Sequence, residues 1–120
     1  MELSAGDLRN RVELLQRVEG SNDLGETTYS YEPYDPPRKA WSQIVPLSGQ
    51  RETLPGEVDR VAVTHRVTVR RSSFRDLTTD MRLRYRGQDY QVIYFYPNYR
   101  QNAWTEIYCK LVVEDGVQSF

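Results

Sequence analysis

The chain has 120 residues, a formal net charge of −1 and one cysteine. That length fits one domain of residues 1–120 with a single core. One thiol excludes an internal disulfide and a cysteine-based zinc site, and no apolar run approaches the roughly 20 residues of a membrane-spanning helix. Mean hydropathy is −0.72, yet nine tyrosines and six prolines speak for strands and ordered loops rather than a disordered chain. The start, MELSAGDLRNR, lacks the basic-then-apolar order of a signal peptide, so synthesis and retention in the cytoplasm are expected.

The dominant period is two. In RVELLQRV, Val12, Leu14 and Val18 share a face, with Gln16 as the exception. Asp23-Leu24-Gly25 then turns this strand into a second over Thr27–Tyr31. The three prolines between Glu32 and Pro37 rule out a central strand there. A third strand is expected over Lys39–Pro46, anchored by Trp41. Ser48–Arg60, SGQRETLPGEVDR, is polar and broken by Gly49, Pro55 and Gly56. Connections this long inside a small domain are commonly functional or disordered.

Beyond it, VAVTHRVTVRR alternates cleanly. Val61, Val63, His65, Val67 and Val69 fall on one side, and Ala62, Thr64, Arg66, Thr68 and Arg70 on the other. Phe74–Thr79, followed by Asp80, reads as a loop with local turn bonds from Asp76 and Thr79. Met81, Leu83 and Tyr85 alternate with Arg82, Arg84 and Arg86. A short turn at Arg86–Asp89 leads into Tyr90–Tyr96, and a longer loop, Pro97–Asn102, leads into Ala103–Val113. Each segment is a half-buried antiparallel strand by its pattern. Six or seven such strands, a long polar loop and at most one short helix define an all-β domain, a small antiparallel β-barrel.

Charge is unevenly spread. Residues 1–59 hold six Arg/Lys against eleven Asp/Glu, residues 60–86 eight against two, and residues 87–120 two against four. If the strands bearing Arg66 and Arg70 and those bearing Arg82, Arg84 and Arg86 are neighbours, five guanidiniums stud one face. Such a face could follow a nucleic-acid backbone. The better-supported alternative is a wall whose arginine stems cover the sheet and whose heads meet acids. Aromatics on both sides of the Tyr90–Tyr96 strand also make a poor base-stacking platform.

The catalytic inventory is thin. His65 points inward by parity, and nothing in the sequence brings it to Cys109, which reads as an inert core thiol. There is no phosphate loop and no calcium loop. No catalytic residue, cofactor or metal is expected.

The segments AGDLRNRVELLQ, DLGETTYSY, KAWSQIVPLSGQRE, VTHRVTVRR, DLTTDMRLRYRGQDYQVI and WTEIYCKLV, in this order and spacing, resemble the head–tail joining or head-closure (stopper) proteins of long-tailed bacteriophages and prophages. The resemblance runs from about Gly6 to Val112, with Glu52 later than a strict Gly-x-Glu spacing would put it. It implies a small β-barrel, monomeric when free, that assembles as a ring in the virion neck. The partners it implies are the portal or adaptor ring, the tail proteins and further copies of the chain. The ring would close the channel after packaging and offer the tail a docking surface. The loop after the Trp41 strand, residues 48–60, would face the channel, with Gln50, Arg51 and Glu52 in or near it and in reach of packaged double-stranded DNA. Arg66, Arg70, Arg82, Arg84 and Arg86 would then form a subunit or adaptor contact. A tail-completion or other neck protein, and a nucleic-acid-binding barrel, stand as alternatives; the mainly helical adaptor type conflicts with the period-two pattern.

Overall fold

A computed structural model describes residues 4–47 and 63–113. Seven strands follow a short 3-10 turn at Ala5–Asp7, where the Asp7 carboxylate accepts the Ser4 amide at 2.9 Å. They are β1 (Asn10–Ser21), β2 (Thr27–Pro33), β3 (Lys39–Pro46), β4 (His65–Arg70), β5 (Arg82–Tyr85), β6 (Gln88–Pro97) and β7 (Trp104–Leu111). All pairings are antiparallel and run β2-β1-β3-β4-β7-β6-β5, with β5 also joined to β1. Six strands therefore close into a barrel, and β2 extends it as a flange.

Closure depends on the length of β1. Its first residues pair with β3, from Asn10 opposite Ser42 to Glu13 opposite Lys39. Glu13, Leu14 and Leu15 face Arg84, Leu83 and Arg82 of β5. Leu15 also meets Pro33 of β2, and from Gln16 to Ser21 the strand pairs only with β2. The β1–β2 hairpin thus leaves the barrel rim beyond Leu15. At its tip the Asn22 side-chain oxygen accepts the amides of Leu24 (2.9 Å) and Glu26 (3.0 Å), and Gly25 takes φ +80°.

The core is built by the period-two pattern. Val12 and Leu14, Val67 and Val69, Leu83, Tyr90 and Val92, and Ile107 and Cys109 pack together inside. β3 departs from the sequence reading: Ala40 and Ser42 point inward, while Trp41 is half-exposed on the outside. The small residues allow β1 to approach, and the Ser42 hydroxyl donates to the Asn10 carbonyl at 2.7 Å. Trp41 instead lies under the Arg11 guanidinium, 5.2 Å from its ring centre.

The β5–β6 turn contains two residues, Arg86 and Gly87, both with positive φ (52° and 78°). Two successive positive-φ residues give the hairpin turn whose twist matches the flanking strands. A bulge in β6 between Val92 and Tyr94 resets the parity of everything after it. Tyr90 and Val92 are buried inside before the bulge. After it Phe95 stands opposite Ile107, while Tyr94 and Tyr96 face Tyr108 and Glu106 across the pair.

One rim is capped by the segment between β4 and β5. Phe74 and Leu77 drop into the core. Outside them, Arg38 grips the Asp76 carboxylate through two bonds of 2.7 and 2.6 Å, and Arg17 lies 3.6 Å from Asp80. Asp76 therefore makes a long-range ion pair where a local turn bond was expected; the local bond here runs from the Thr78 hydroxyl to Asp80.

Leu14 and Leu83 are fully buried and directly opposed at the seam. Truncating Leu83 to alanine is expected to cost about 2–5 kcal/mol, whereas Leu24→Ala at the exposed hairpin tip changes stability by under about 0.5 kcal/mol. Urea unfolding midpoints of the two variants check this.

Candidate assembly surfaces

The expected five-arginine face does not form. β4 and β5 are not neighbours: around the barrel, β7 and β6 separate them on one side and β3 and β1 on the other. Arg66 and Arg70 therefore stand on the wall opposite Arg82, Arg84 and Arg86. Sequence parity gives which way a side chain points within its strand but not which strands lie side by side.

Each of the five is also engaged inside the fold. Arg82 lies over the Tyr31 ring at 3.6 Å and donates to the Gln91 side-chain oxygen at 2.9 Å. Arg84 holds Asp89 with bonds of 2.7 and 3.2 Å; this pairing raises its already high pKa. Arg86 lies 5.2 Å from the Tyr85 ring centre, and Arg70 lies 5.3 Å from that of Trp104. Arg66 stands opposite Tyr108 in the β4–β7 register, close enough that its charge favours the ionised form of that hydroxyl. Stacking on rings and forked pairing with carboxylates are what guanidinium geometry favours. These heads cover their own sheet.

On the β4–β7–β6 wall the bulge assembles a cluster that parity alone misses. Tyr94 stacks on Tyr108 at 4.8 Å between ring centres, Tyr96 on Tyr94 at 6.1 Å, and Tyr99 on Tyr96 at 6.4 Å. The Tyr96 hydroxyl donates to that of Tyr108 at 3.1 Å, which donates to Glu106 at 3.2 Å. Burial first, then this bonding, pushes the Tyr108 hydroxyl well above the usual tyrosine pKa. Asn98 joins Glu106 at 2.8 Å, tying the β6–β7 loop to the cluster. Tyr99, 81% exposed, extends the patch toward solvent. Neutral hydroxyls on rigid rings suit contact with protein better than capture of phosphate. The sequence signal for this patch was the apolar run on both sides of β6; the bulge itself left none.

At the capped rim lies a cleft of about 600 Å³. Arg70, Arg71 and Arg75 edge it, and Phe74, Phe95 and Pro97 line its apolar surface. The cap segment carries these groups to the mouth of the barrel, next to the ends of β4 and β6.

His65 and Cys109 stand directly opposite one another in the β4–β7 register, a proximity the sequence did not disclose. They do not make a nucleophile and base. The thiol is fully buried and points at the His65 backbone carbonyl, 3.6 Å away. Burial pushes its pKa up to about 12. The imidazole meets Thr64 Oγ1 at 2.8 Å and sits edge-on to Tyr90, with ring centres 5.0 Å apart. Desolvation lowers its pKa. Among the described residues, no group of three or more His, Cys, Asp or Glu could hold a metal ion. Gln50, Arg51 and Glu52, and the rest of the 48–60 loop, lie outside the described residues.

The described residues thus form a closed six-strand barrel with a projecting hairpin, rings and paired charges on its walls, and a buried thiol. The sequence matches the phage head completion protein family over residues 3–112; the chain belongs to that family and so has a structural role in head and virion assembly. Its fold is similar to a chain in the virion of a native gene transfer agent particle (TM-score 0.59, 16% identity, covering 89% of this chain and 97% of that one). It is also similar to the solution structure of protein SF1141 from Shigella flexneri 2a (TM-score 0.64, 18% identity, 94% and 100% covered). Comparison with curated protein sequences returns no match.

Two measurements check the interior assignments. A thiol reagent is expected to label Cys109 only as fast as the protein unfolds, and rapid labelling of folded protein contradicts its burial. For His65, folding lowers the pKa, so between the folded value and the ordinary 6.5 the unfolded chain binds more protons. Stability therefore rises with pH through that window, is lost as the pH falls back through it, and levels off below the folded value, where both states carry the proton. His65→Gln is expected to flatten this part of the stability profile, measured from denaturant midpoints between pH 5 and 7.5.

Proposed function

We propose that this head completion protein assembles as a ring beneath the portal or adaptor once the head is filled. There it closes the channel against loss of DNA and presents the surface to which the tail attaches. The observation that carries the reading is the extent of the family match, residues 3–112. The protein works by contact and carries out no chemical reaction. Its place is the virion neck, reached from the host cytoplasm.

In this reading the loop of residues 48–60, with Gln50, Arg51 and Glu52, lies toward the channel and is the part that meets double-stranded DNA. Arg66 and Arg70 on one wall, and Arg82, Arg84 and Arg86 on the other, serve contacts with two different neighbours, whether subunits or the adaptor. The arrangement supports this role over that of a nucleic-acid-binding barrel. Phosphate binding needs cations free to replace counterions along one track, whereas these five are divided between two walls, and four of them are held by rings or a carboxylate.

Depleting the protein is expected to yield filled heads that leak DNA and lack tails, and adding purified protein to such heads restores joining. Deleting Ser48–Asp59 is expected to leave a folded protein that no longer retains DNA. Intact DNA retention by the deletion variant overturns the role given to the loop; normal tailed particles without the protein overturn the whole reading.

A further inference from the structure

We propose that the β1–β2 hairpin of one subunit docks into the rim cleft of the next, and that this is the contact that propagates the ring. The inference rests on the ring assembly proposed above and names its interface.

The two surfaces are opposite in charge. Residues 19–35 carry Glu19, Asp23, Glu26, Glu32 and Asp35 and no basic residue. All five acids are exposed, and among the described residues none of them forms an ion pair. The cleft is edged by Arg70, Arg71 and Arg75. The described ion pairs belong instead to Arg17, Arg38 and Arg84. The Arg71 and Arg75 side chains are exposed. Arg70 is held over Trp104, but Arg71 and Arg75 beside it form no ion pair among the described residues.

They also match in apolar character. The hairpin tip presents Leu24, 83% exposed and held outward by the Asn22 turn. The cleft offers Phe74, Phe95 and Pro97, with Phe95 36% exposed although it shares the inward parity of Ile107. An exposed leucine amid carboxylates meets an aromatic floor amid guanidiniums: an apolar anchor within a charged rim, the usual anatomy of a specific contact.

Topology places the two surfaces where a ring needs them. β1 leaves the barrel at the same rim that the cap segment closes, since Arg17 reaches Asp80 there. The cleft lies along β4, β7 and β6, and β7 is three strands from β1 in either direction around the barrel. Hairpin and cleft therefore flank opposite sides of one rim. The hairpin runs on beyond Leu15 for six residues of β1, about 20 Å of strand. A patch on one flank that fits a different patch on the other is a heterologous contact, and repeated by rotation it closes a ring.

The test uses heads that lack this protein, supplied with variants in vitro. Arg71→Glu with Arg75→Glu in one protein, and Asp23→Lys with Glu26→Lys in another, are each expected to lower tail joining by about tenfold or more. Carrying all four changes in one chain restores the charge match, so joining is expected to recover to within about threefold of the unaltered protein. Recovery also shows that the altered chains fold. In parallel, Asp23→Cys with Arg75→Cys is cross-linked on heads; the buried Cys109 takes no part. A ladder of covalent multimers supports the contact. If microscopy shows a ring on the heads but the cysteines yield no multimers, or the fourfold variant does not recover, the contact is overturned while the ring stands. If the unaltered protein adds no ring, both fall.

Discussion

The barrel depends on the seam where Glu13, Leu14 and Leu15 of β1 meet Arg84, Leu83 and Arg82 of β5. It joins residues about seventy positions apart, and without it the sheet is an open seven-strand ribbon with two free edges. Closure removes the edge that would otherwise invite pairing with other chains. It also fixes where everything else lies. Because β1 is consumed at the seam by residue 15, the rest of that strand has only β2 for company and must project as a hairpin. Because β5 is pulled to β1, the segment before it crosses the barrel mouth, and Phe74 and Leu77 fill that opening.

The same closure decides what the arginines do. In a flat sheet, cations on alternate strands could align into a track. Around a six-strand barrel, β4 and β5 are as far apart as two strands can be. Each guanidinium then finds a ring, hydroxyl or carboxylate on its own or a nearby strand: Arg82 with Tyr31, Arg84 with Asp89, Arg70 with Trp104, Arg66 with Tyr108. Their stems shield the wall from water and their heads hold strands in register. What the fold leaves over is a basic cleft at one flank of the rim and an acidic hairpin at the other. A chain of nearly neutral net charge is thus uneven in charge across its own width, as the proposed ring contact requires.

Much of this was legible in the sequence. The Lys39–Pro46 strand, the Arg86-Gly87 turn, the inward valines of β4 and the buried Cys109 followed from alternation and turn chemistry. Three things did not. Strand neighbours are set by closure between distant segments, so five arginines with the right parity ended on two walls. The bulge after Val92 adds one residue and flips the facing of Tyr94, Phe95 and Tyr96, and no residue type marks it. Trp41, expected to anchor its strand, is half-exposed on the outside, and the small Ala40 and Ser42 face inward where β1 pairs with β3. The charge asymmetry was visible only as a net-acidic span, residues 1–59, followed by a net-basic one, residues 60–86. That hairpin and cleft flank a single rim is a property of the topology.

The account stands or falls on whether this barrel is a ring component of the neck. The most direct measurement is electron cryomicroscopy of the virion neck, with heads prepared with and without the protein. The account predicts an added ring of six-strand barrels between the portal end of the head and the tail. Each hairpin of that ring should reach across to the neighbouring subunit. Density for the barrel elsewhere in the particle, or an unchanged neck when the protein is missing, would contradict it.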